Sequence, residues 1–532
     1  MGIYLKIDKR TVKEENGFRI FQKKVLESIT SNRRLIMAEA PVGAGKSFIV
    51  KKMITNDRIS HFPVILTFPT KILMDTQIKS LKKELSPVKH WPDETDIKSR
   101  YTIFEYSSDA LFRFLKRNPE VFNLNKSEII YSVLKNQMYS AKNNIIVTTP
   151  DVLHLIKNNF YYNANRIKSL LNGAIVVFDE FHLYTNLANF IPLIKWLIDI
   201  LDAKILFLSA TPIISEELNV LFNTVSSEII DFRDSIGGAK DKIFNYPLDM
   251  YIEECKYTQN NIFLSVVQKY ISNLPMPLGI IFDSVFRLRH IKSILQKNFG
   301  REFNLIEYSG MKKESTKIDD KTIVLGTSSI EVGVELPLKS LITESAYWTS
   351  AIQRIGRVGR FEPASVVILT KKRFSPFVSE GEKLTRSFFE NEVLKRALKD
   401  TIGTFVSGEM FRGDSYPFWV IDEDTKDVIY YTESIFSIYN IDPQYYINNW
   451  RQLDEQNKRD ILKKDFSLKD FVVEEILLKE KIFPAYGVVK GRLRQEYEPI
   501  IVKKGNIELE ISLKNQRVSY YFKLGGLYKD DF

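Results

Sequence analysis

Cysteine is nearly absent from this sequence, whose 532 residues contain a single one, Cys255. One thiol cannot build a disulfide framework, and it cannot supply the several thiolates that a structural zinc site or an iron–sulfur cluster requires. The chain also lacks a long uninterrupted apolar run. Its most apolar stretch, residues 187–210, is interrupted by charged side chains at 195, 199, 202 and 204. A buried helix followed by a buried strand fits this stretch better than a membrane span.

The first eleven residues are charged and have no apolar segment of the kind found in signal peptides, so we expect a cytoplasmic protein. The composition, with 44% hydrophobic and 27% charged residues, is typical of a soluble globular protein. The length predicts two or three domains. The net charge of +10 suits a polyanionic partner, but a surface that is simply rich in lysine would give the same balance, so charge alone does not decide.

Short apolar runs alternate with helical patterns along the first two-thirds of the chain. This alternation predicts an α/β fold with two tandem lobes, each built on a doubly wound parallel sheet. We place the first lobe at residues 1–236, with a helical insertion at about 79–142. The second lobe then covers 237–371 and a mixed C-terminal accessory domain 372–532, with strands from 486 to 527. The predicted strands are 35–38, 64–68, 145–149, 174–179 and 204–209 in the first lobe, and 279–282, 303–308, 322–325, 341–344 and 365–369 in the second.

A phosphate-binding motif directly follows the first predicted strand of the first lobe. It reads Ala40-Pro41-Val42-Gly43-Ala44-Gly45-Lys46-Ser47. The glycines let the backbone curl so that its N–H groups face a phosphate at a helix N-terminus. Lys46 supplies a charge to the β- and γ-phosphates of ATP, and Ser47 supplies a hydroxyl to Mg²⁺. A chance Gly-Lys-Ser in a loop is the alternative, and the strand before the motif together with the helix after it argues against that.

Two adjacent carboxylates, Asp179 and Glu180, end a later apolar strand of the same lobe. Ligands of open α/β sheets bind at the carboxyl ends of the strands. There Asp179 would hold Mg²⁺, and Glu180 would orient and deprotonate the attacking water. Alone, such a pair is more often a surface feature. Its position after a P-loop favours the catalytic interpretation.

The second lobe contains a basic motif, Gln353-Arg354-Ile355-Gly356-Arg357-Val358-Gly359-Arg360. Arg357 and Arg360 can reach across a cleft and stabilise charge on the γ-phosphate in the transition state. We expect Gly356 and Gly359 to allow close approach of the two lobes. A solvated basic helix would not need those glycines.

The motifs together resemble those of superfamily 2 DExH helicases over about residues 18–360. The P-loop sequence pattern Ala-Pro-x-Gly-x-Gly-Lys is typical of that superfamily. This resemblance implies two RecA-like lobes, and it implies that Gln22 reads adenine while Gly333 and Glu335 contact the nucleotide. His182 would bridge to the next motif, so that hydrolysis couples to movement through His182, Ser209, Thr211 and Gln353.

We expect the nucleic-acid path to be built from loops at strand ends, where short hydroxyl side chains and backbone amides suit contacts to phosphate. Each loop is a weak signal by itself, and the serial order of the loops between the stronger motifs supports the interpretation. The candidate residues are Pro69, Thr70, Lys71, Thr149, Ser284, Ser309, Thr327 and Ser328.

The motif sequences at residues 179–184, 68–77 and 326–335 are similar to those of the helicase of type I CRISPR interference. The nearest form is the helicase-only one, Cas-three-prime, with a leaning to subtype I-D over I-A. The resemblance implies 3′ to 5′ movement on single-stranded DNA after recruitment to a target-bound effector complex. No His-Asp dipeptide occurs in the sequence, so we expect no intrinsic HD nuclease. The large subunit of the effector complex would then supply the nuclease.

Two alternatives remain open at this stage. One is a superfamily 2 helicase outside CRISPR, acting in DNA repair or RNA remodelling, because the motor core is shared. The other is an ATP-binding interaction switch without motor activity. The presence of Lys46, Glu180 and Arg360 argues against the switch.

Overall fold

The computed structural model describes residues 2–398 except 60, 70, 96–98, 122–125, 141–142, 160–162, 185–189, 211–213, 215, 239, 284, 309–317, 328–329, 331–335 and 346. Beyond 398 it describes 419–422, 428–431, 452–464, 477, 486–489, 500–504, 507–514 and 517–524. The chain forms two compact units. The first comprises Met1–Val152, Asn165–Thr185 and Ile194–Thr404, and the second Leu153–Ala164, Asn186–Leu193 and Phe405–Phe532. Among the described residues no helix is long and apolar enough to cross a membrane.

The strands, in chain order, are β1 Gly2–Ile7, β2 Arg10–Val12, β3 Glu14–Glu15, β4 Phe18–Arg19, β5 Leu35–Glu39, β6 Val64–Thr67, β7 Val88–Trp91, β8 Tyr101–Glu105, β9 Asn143–Thr148, β10 Ile175–Asp179, β11 Lys204–Ser209, β12 Ser227–Asp231, β13 Lys242–Asn245, β14 Leu248–Glu254, β15 Leu278–Ile281, β16 Asn304–Tyr308, β17 Thr322–Gly326, β18 Ser340–Glu344, β19 Ala364–Thr370, β20 Lys383–Leu384, β21 Trp419–Asp422, β22 Val428–Tyr431, β23 Tyr486–Val489, β24 Ile500–Lys504, β25 Ile507–Lys514 and β26 Arg517–Leu524.

The α-helices are α1 Ile20–Thr30, α2 Lys46–Ile54, α3 Lys71–Glu84, α4 Ser108–Arg117, α5 Lys126–Ser140, α6 Pro150–Lys157, α7 Ala164–Leu170, α8 Phe190–Asp199, α9 Glu216–Thr224, α10 Asn260–Ile271, α11 Val285–Phe299, α12 Trp348–Ile355, α13 Arg386–Phe388, α14 Lys395–Ala397 and α15 Glu455–Lys464. Short 3₁₀ turns cover Pro119–Val121, Phe181–Leu183 and Phe232–Ser235, and a π-helix, Phe389–Leu394, joins α13 to α14.

The first lobe is built on an eight-stranded sheet in the order β12-β5-β11-β10-β6-β9-β8-β7. Every pair in it is parallel. Its central strands are buried apolar runs such as Leu35–Glu39 and Lys204–Ser209, which is the pattern of a sheet covered on both faces. Because β5, β11 and β10 are neighbours, the residues that end them meet at one edge of the sheet. The predicted strands of this lobe are confirmed to within two residues.

The second lobe has its own eight-stranded sheet, in the order β16-β17-β15-β18-β19-β14-β1-β20. Strand β1 runs antiparallel to β14 and parallel to β20, and the other pairs are parallel. Apolar clusters cover both faces of this sheet. The predicted strands of this lobe are also confirmed to within two residues, so the predicted α/β architecture is present.

The lobe boundaries differ from the predicted ones at both ends. The N-terminal strand β1, which we placed in the first lobe, pairs with β14 in the second sheet. Beyond the predicted end at 371, β20 joins the same sheet and Phe389 and Leu394 pack into its core. Both pairings are between segments far apart in the chain, and periodicity within a short window does not contain that information.

The predicted helical insertion at 79–142 was wrong in part. It contains α4 and α5, but it also contains β7 and β8, which extend the first sheet beyond β9. The segment Tyr101–Glu105 has only five residues, and an apolar run of that length does not distinguish a strand from a helix.

The second unit contains two small sheets, of strand order β22-β21-β23 and β24-β25-β26. The second of these is an antiparallel meander. It agrees with the alternating pattern from which we predicted strands within 486–527.

Candidate active site

The P-loop leaves the end of β5 and enters α2. Gly43 and Gly45 have φ angles of +82° and +85°, a region that side chains rarely adopt. The Ala40 N–H donates to the Ser209 carbonyl (2.9 Å), which ties the loop to the end of β11. Gly45 is the N-cap of α2. The loop therefore presents a helix N-terminus at the sheet edge, which is an arrangement suited to binding phosphate.

Gln22 lies against this loop, where the resemblance predicted a nucleotide-reading residue. Its side-chain Nε2 donates to the carbonyls of Ala44 (3.2 Å) and Gly45 (3.3 Å). A Cβ on Gly45 would lie 2.5 Å from the same Nε2 and would displace the end of the Gln22 side chain, while the φ of +85° itself favours glycine. Gln22 is buried and braces the P-loop.

Arg19 is a contributor to this region that sequence reasoning missed. Its Nη1 donates to the Gly43 carbonyl (3.1 Å), and its guanidinium lies 4.9 Å from the centre of the Phe244 ring. The sequence signal that could have found Arg19 is its position three residues before Gln22, at the N-terminus of the same helix. Gln77, whose amide donates to Ser47 Oγ (3.4 Å), was similarly assigned no role.

The two carboxylates that end β10 lie next to the P-loop lysine. Lys46 Nζ is 3.1 Å from Glu180 Oε1, and both side chains are largely buried. Burial and the neighbouring charge of Glu180 raise the pKa of Asp179 to about 7, against the opposing effect of Lys46. Burial acts to raise the pKa of Glu180 as well, but Lys46, His182 and Arg357 together hold it below its usual value. The environment thus keeps Glu180 ionised and makes Asp179 the easier of the two to protonate.

Glu180 has a left-handed backbone, with a φ of 50° and a ψ of 45°. This conformation costs a residue other than glycine about 1–2 kcal/mol. The left-handed conformation turns the chain sharply between β10 and the following 3₁₀ turn. The Glu180 side chain accepts a hydrogen bond from Lys46. Backbone strain of this kind is concentrated at functional sites.

His182 connects three motifs. Its Nδ1 lies 2.8 Å from Ser209 Oγ, and its Nε2 lies 2.5 Å from Nε2 of Gln353 in the second lobe. Burial lowers the pKa of His182 to about 4, with Lys46 acting in the same direction and Glu180 opposing it, so the ring is neutral at pH 7. The two ring nitrogens therefore each have a polar partner, Ser209 in the same lobe and Gln353 in the other.

The basic motif of the second lobe forms α12 and the turn after it. Arg354, to which we assigned no role, is buried and donates to Asp283 (2.8 Å) and Thr343 (3.3 Å) within its own lobe. Arg357 is close enough to Glu180 to lower the pKa of that carboxyl. Arg360 Nε donates to the Gly356 carbonyl (2.7 Å), which holds the guanidinium near the end of α12.

Glycine is required for different reasons at the two glycine positions of this motif. A Cβ on Gly356 would lie 2.8 Å from the Cβ of Val42 in the P-loop, so this glycine allows the two lobes to approach. Gly359 has a φ of +67°, and a Cβ there would lie 2.6 Å from Leu248 of its own lobe. The expectation of close approach is therefore confirmed for Gly356 and wrong for Gly359.

Only part of the predicted nucleic-acid path lies among the described residues. Pro69 and Thr149 follow the neighbouring strands β6 and β9, and Thr327 is buried at the end of β17. The predicted residues Thr70, Thr211, Ser284, Ser309, Ser328, Gly333 and Glu335, and the side chain of Lys71, lie outside the described residues. Their roles stay predictions.

A second group of potential metal ligands, His90, Asp93 and Glu105, lies on β7, β8 and the turn between them. Its carboxylates already have cationic partners. Asp93 pairs with Arg117 (2.8 Å), and Glu105 pairs with Arg113. We therefore interpret the cluster as an ion-pair network at the edge of the first sheet and not as a metal site.

Comparison with known proteins agrees with this geometry. Residues 19–220 match the DEAD/DEAH box helicase family. Residues 279–363 match the C-terminal model of the CRISPR-associated nuclease/helicase Cas3. The two matches fall on the two RecA-like lobes of the α/β fold, one on each, and they support a Cas3-type superfamily 2 helicase.

Two curated relatives are CRISPR proteins. The CRISPR-associated nuclease/helicase Cas3 of Streptococcus thermophilus is 22% identical over 387 residues, which is 65% of this chain and 41% of the relative. The CRISPR-associated helicase Cas3 of Thermoproteus tenax is 29% identical over 128 residues, or 22% of each chain. The matched region thus spans about two-fifths or less of the length of these relatives.

Solved helicases cover much of the chain at low identity. The DUF1998 helicase MrfA bound to DNA and AMPPNP is 13% identical, with a TM-score of 0.47, and the match covers 98% of this chain and 81% of MrfA. The DEAD-box helicase Mss116 bound to single-stranded RNA and UDP-BeF is 17% identical, with a TM-score of 0.45 and coverage of 87% and 84%.

Proposed function

We propose that this chain is an ATP-driven motor that moves 3′ to 5′ along single-stranded DNA and unwinds target DNA in type I CRISPR interference. The observation that carries the motor is the contact of His182 with Gln353, which joins the lobe holding Lys46 and Glu180 to the lobe holding the arginines. The Cas3-type matches direct the proposal to CRISPR.

ATP would bind with its phosphates over the N-terminus of α2, held by the N–H groups of Gly43, Ala44 and Gly45 and by the Lys46 ammonium. Gln22 would contact the adenine. Gly333 and Glu335, which lie outside the described residues, are proposed to complete the nucleotide contacts.

Ser47 and Asp179 would hold Mg²⁺. Asp179 is a half-buried carboxylate beside a second carboxylate, and a divalent cation there would favour its ionised form. Ser47 adds a hydroxyl oxygen at the start of α2, and oxygen ligands are those that Mg²⁺ prefers. When bound, the ion would neutralise charge on the β- and γ-phosphates.

Glu180 would orient the attacking water and accept its proton. Its Oε2 is buried and accepts no hydrogen bond within the described part of the chain, while its Oε1 faces Lys46. Oε2 is therefore the oxygen to which a bound water would donate, and His182 Nδ1 lies 3.5 Å from it. Arg357 and Arg360 would then stabilise the charge that develops on the γ-phosphate.

Coupling to movement would pass through His182, Ser209, Gln353 and Thr211. Since His182 touches both lobes, a change at the γ-phosphate that shifts Glu180 would be transmitted to Gln353. The DNA strand would lie across the carboxyl ends of the parallel strands, touching Pro69, Thr70, Lys71, Thr149, Ser284, Ser309, Thr327 and Ser328.

We further propose that a partner cuts the DNA. The sequence has five histidines, and none is followed by aspartate. The expected partner is the nuclease-bearing large subunit of a CRISPR effector complex. We favour subtype I-D over I-A because of the motif sequences at residues 179–184, 68–77 and 326–335.

The test is an ATPase assay on the full chain with single-stranded DNA, duplex DNA or RNA, with and without a target-bound effector complex. We expect stimulation by single-stranded DNA, and we expect Lys46→Ala or Glu180→Gln to abolish it. Matched controls come from the more exposed Lys51–Glu84 pair of the same lobe. Lys51→Ala and Glu84→Gln should turn over ATP at the wild-type rate.

Three outcomes would contradict the proposal. Stimulation by RNA and not by DNA would favour a helicase outside CRISPR. ATP binding without turnover under any of these conditions would favour a switch. Unchanged turnover in Lys46→Ala or Glu180→Gln would refute the site assignment.

A further inference from the structure

A buried triad of charges lies in the second lobe, outside the ATP site. Glu390 accepts from Arg10 Nη2 at 2.6 Å and from Arg386 Nε at 2.9 Å. All three side chains are less than a tenth exposed. Although burial alone would raise it, Arg10 and Arg386 hold the pKa of Glu390 below its usual value. Removing three ions from water is costly, and an apolar trio of similar volume would often be as stable. The triad therefore calls for an explanation other than stability.

One member of the triad touches the helix that leads to the arginines. Arg386 Nη2 donates to the Ile355 carbonyl (3.4 Å), and Ile355 is the last residue of α12. A cation at a helix C-terminus is favourable because it meets the unpaired carbonyls there. The next residue, Gly356, is the one that packs on the P-loop, and Arg357 follows it.

The segment that carries Arg386 and Glu390 runs along the whole of α12. We call residues 386–397 the strap. Its middle is a π-helix, a form that is rare and often found at functional sites. Phe389 and Leu394 pack in one core cluster with Ile352 and Val358, and Lys395 Nζ lies 4.8 Å over the ring of Trp348, the first residue of α12. The strap thus holds both ends of α12.

The third member of the triad connects the strap to the N-terminal segment. Arg10 lies on β2, which pairs with β13. Directly after β13, the Tyr246 N–H donates to the Gly359 carbonyl (2.8 Å). The turn between α12 and Arg360 is therefore held from both sides, by Arg386 at its start and by Tyr246 near its end.

We propose that Arg386 and Glu390 are positioning residues for the arginine pair, fixing the C-terminal end of α12 and thereby the placement of Arg357 and Arg360 at the ATP site. The inference rests on the proposed ATPase function. Arg386 divides its guanidinium between the Glu390 carboxylate and the Ile355 carbonyl, and Glu390 in turn is oriented by Arg10. Loss of either charge frees the helix end.

The test compares Glu390→Gln and Arg386→Met with a matched control on the same strap. Glu392 pairs with Arg396 at the same i,i+4 spacing, 2.9 Å apart, but these side chains are 46% and 67% exposed. We expect Glu390→Gln and Arg386→Met to lower the kcat of DNA-stimulated ATP hydrolysis roughly tenfold, since small misplacement of catalytic groups costs that much or more. The KM for ATP should stay within about twofold because Arg386 and Glu390 do not touch the P-loop. Glu392→Gln should match wild type.

Arg386→Lys separates positioning from charge alone. A lysine has one compact ammonium, so it can serve either Glu390 or the Ile355 carbonyl but not both in the fork geometry of arginine. We expect a kcat between those of wild type and Arg386→Met, with the KM unchanged. A role limited to stability would instead predict that kcat follows the folded fraction of each variant.

A single charge removal leaves its partners buried and unpaired, which can prevent folding. The triple variant R10M/R386M/E390L removes all three charges and keeps a packed interior. We expect it to fold and to retain the kcat defect. Wild-type kcat in the folded triple variant, or in folded Arg386→Met, would overturn the inference. If wild type and Glu392→Gln hydrolyse ATP while the triad variants do so equally well, only this inference fails. If wild type itself shows no turnover, the proposed function fails and this inference with it.

Discussion

The contact between Gly356 and Val42 gives a sharp test of whether lobe closure limits catalysis. The perturbation is Gly356→Ala, which adds one methyl carbon. That carbon would lie 2.8 Å from Val42 Cβ and 3.1 Å from Val42 Cγ2. Favourable carbon contacts lie at about 3.5–4.0 Å, so the overlap is roughly 0.7 Å or more. The Gly356 backbone has an ordinary helical φ of −64°, so alanine is not strained there by its conformation.

The easiest relief is a small opening of the cleft, which moves Arg357 away from Glu180. A displacement of about 1 Å at a catalytic centre can cost about 100-fold in rate. We therefore expect Gly356→Ala to lower the kcat of DNA-stimulated ATP hydrolysis by about 10- to 100-fold, or about 1.4–2.8 kcal/mol in activation free energy. The midpoint of thermal unfolding should change little, because the cores of the two lobes are untouched.

A second substitution makes the explanation refutable. Val42→Gly removes the two side-chain atoms of the first lobe that the new methyl group would meet, and it leaves the contact of 3.1 Å with the Ile352 carbonyl of the same helix. In a double-mutant cycle, it should restore at least about tenfold of the lost kcat in the Gly356→Ala background. A loss that is equally large with valine or glycine at 42 would refute the steric argument. Gly359→Ala is the control, since its clash is with Leu248 and its φ is positive. It should cost about 1–2 kcal/mol of stability, and Val42→Gly should not rescue it.

Two further predictions concern the inter-lobe contact and an ion-pair network. His182→Ala and Gln353→Ala should each weaken the stimulation of ATPase by DNA, and the double variant should be no worse than the more severe single one because the two side chains act through one contact. Stimulated and basal ATPase rates measure this, and additive losses would contradict it. The pKa of Glu105 is lowered because contacts with His90, Ser107 and Arg113 outweigh the opposing effect of burial. This carboxyl therefore contributes stability above its unfolded pKa and loses it as the pH falls through its lower folded pKa. Urea unfolding of Glu105→Gln should show a smaller loss of stability than wild type on acidification below about pH 4.3, and parallel pH profiles would count against the assignment.

The sequence predicts the parts of this molecule that are encoded locally. The apolar runs at 35–38 and 204–209 are strands of a parallel sheet covered on both faces, and their regular alternation with helical patterns is what predicted them as strands. The residues that end them meet because neighbouring parallel strands end at one edge. This is why Lys46, Glu180 and Ser209 were recognised as parts of one site before their distances were known.

The features that sequence reasoning missed depend on contacts between distant segments. Strand β1 joins the second sheet by pairing with β14, about 245 residues away. Neither strand carries a signal for the other. The same applies to the triad of Arg10, Arg386 and Glu390, whose members look like ordinary surface charges in the sequence. Gly359 was misread for a related reason, because a local motif does not reveal which lobe faces each of its glycines.

The basic motif itself is best understood as a helical register. Successive residues of an α-helix point about 100° apart, so positions three and four apart share a face. Gln353, Gly356 and Arg357 obey this spacing, and these three reach His182, Val42 and Glu180 of the first lobe. Arg354 points away from them, into its own lobe, and is anchored on Asp283.

Arg354, the most buried arginine of the motif, thus anchors the helix in its own lobe. Gly356 and Gln353 are as necessary to the contact with the first lobe as the remaining arginines. Inserting one residue between Arg354 and Gly356 would rotate the C-terminal part of the motif by about 100°. That rotation would withdraw Gly356 and Arg357 from the first lobe while leaving their charge and composition unchanged. The contact of the motif with the first lobe therefore depends on its spacing, and Arg386 and Tyr246 contact the end of the helix and the turn after it.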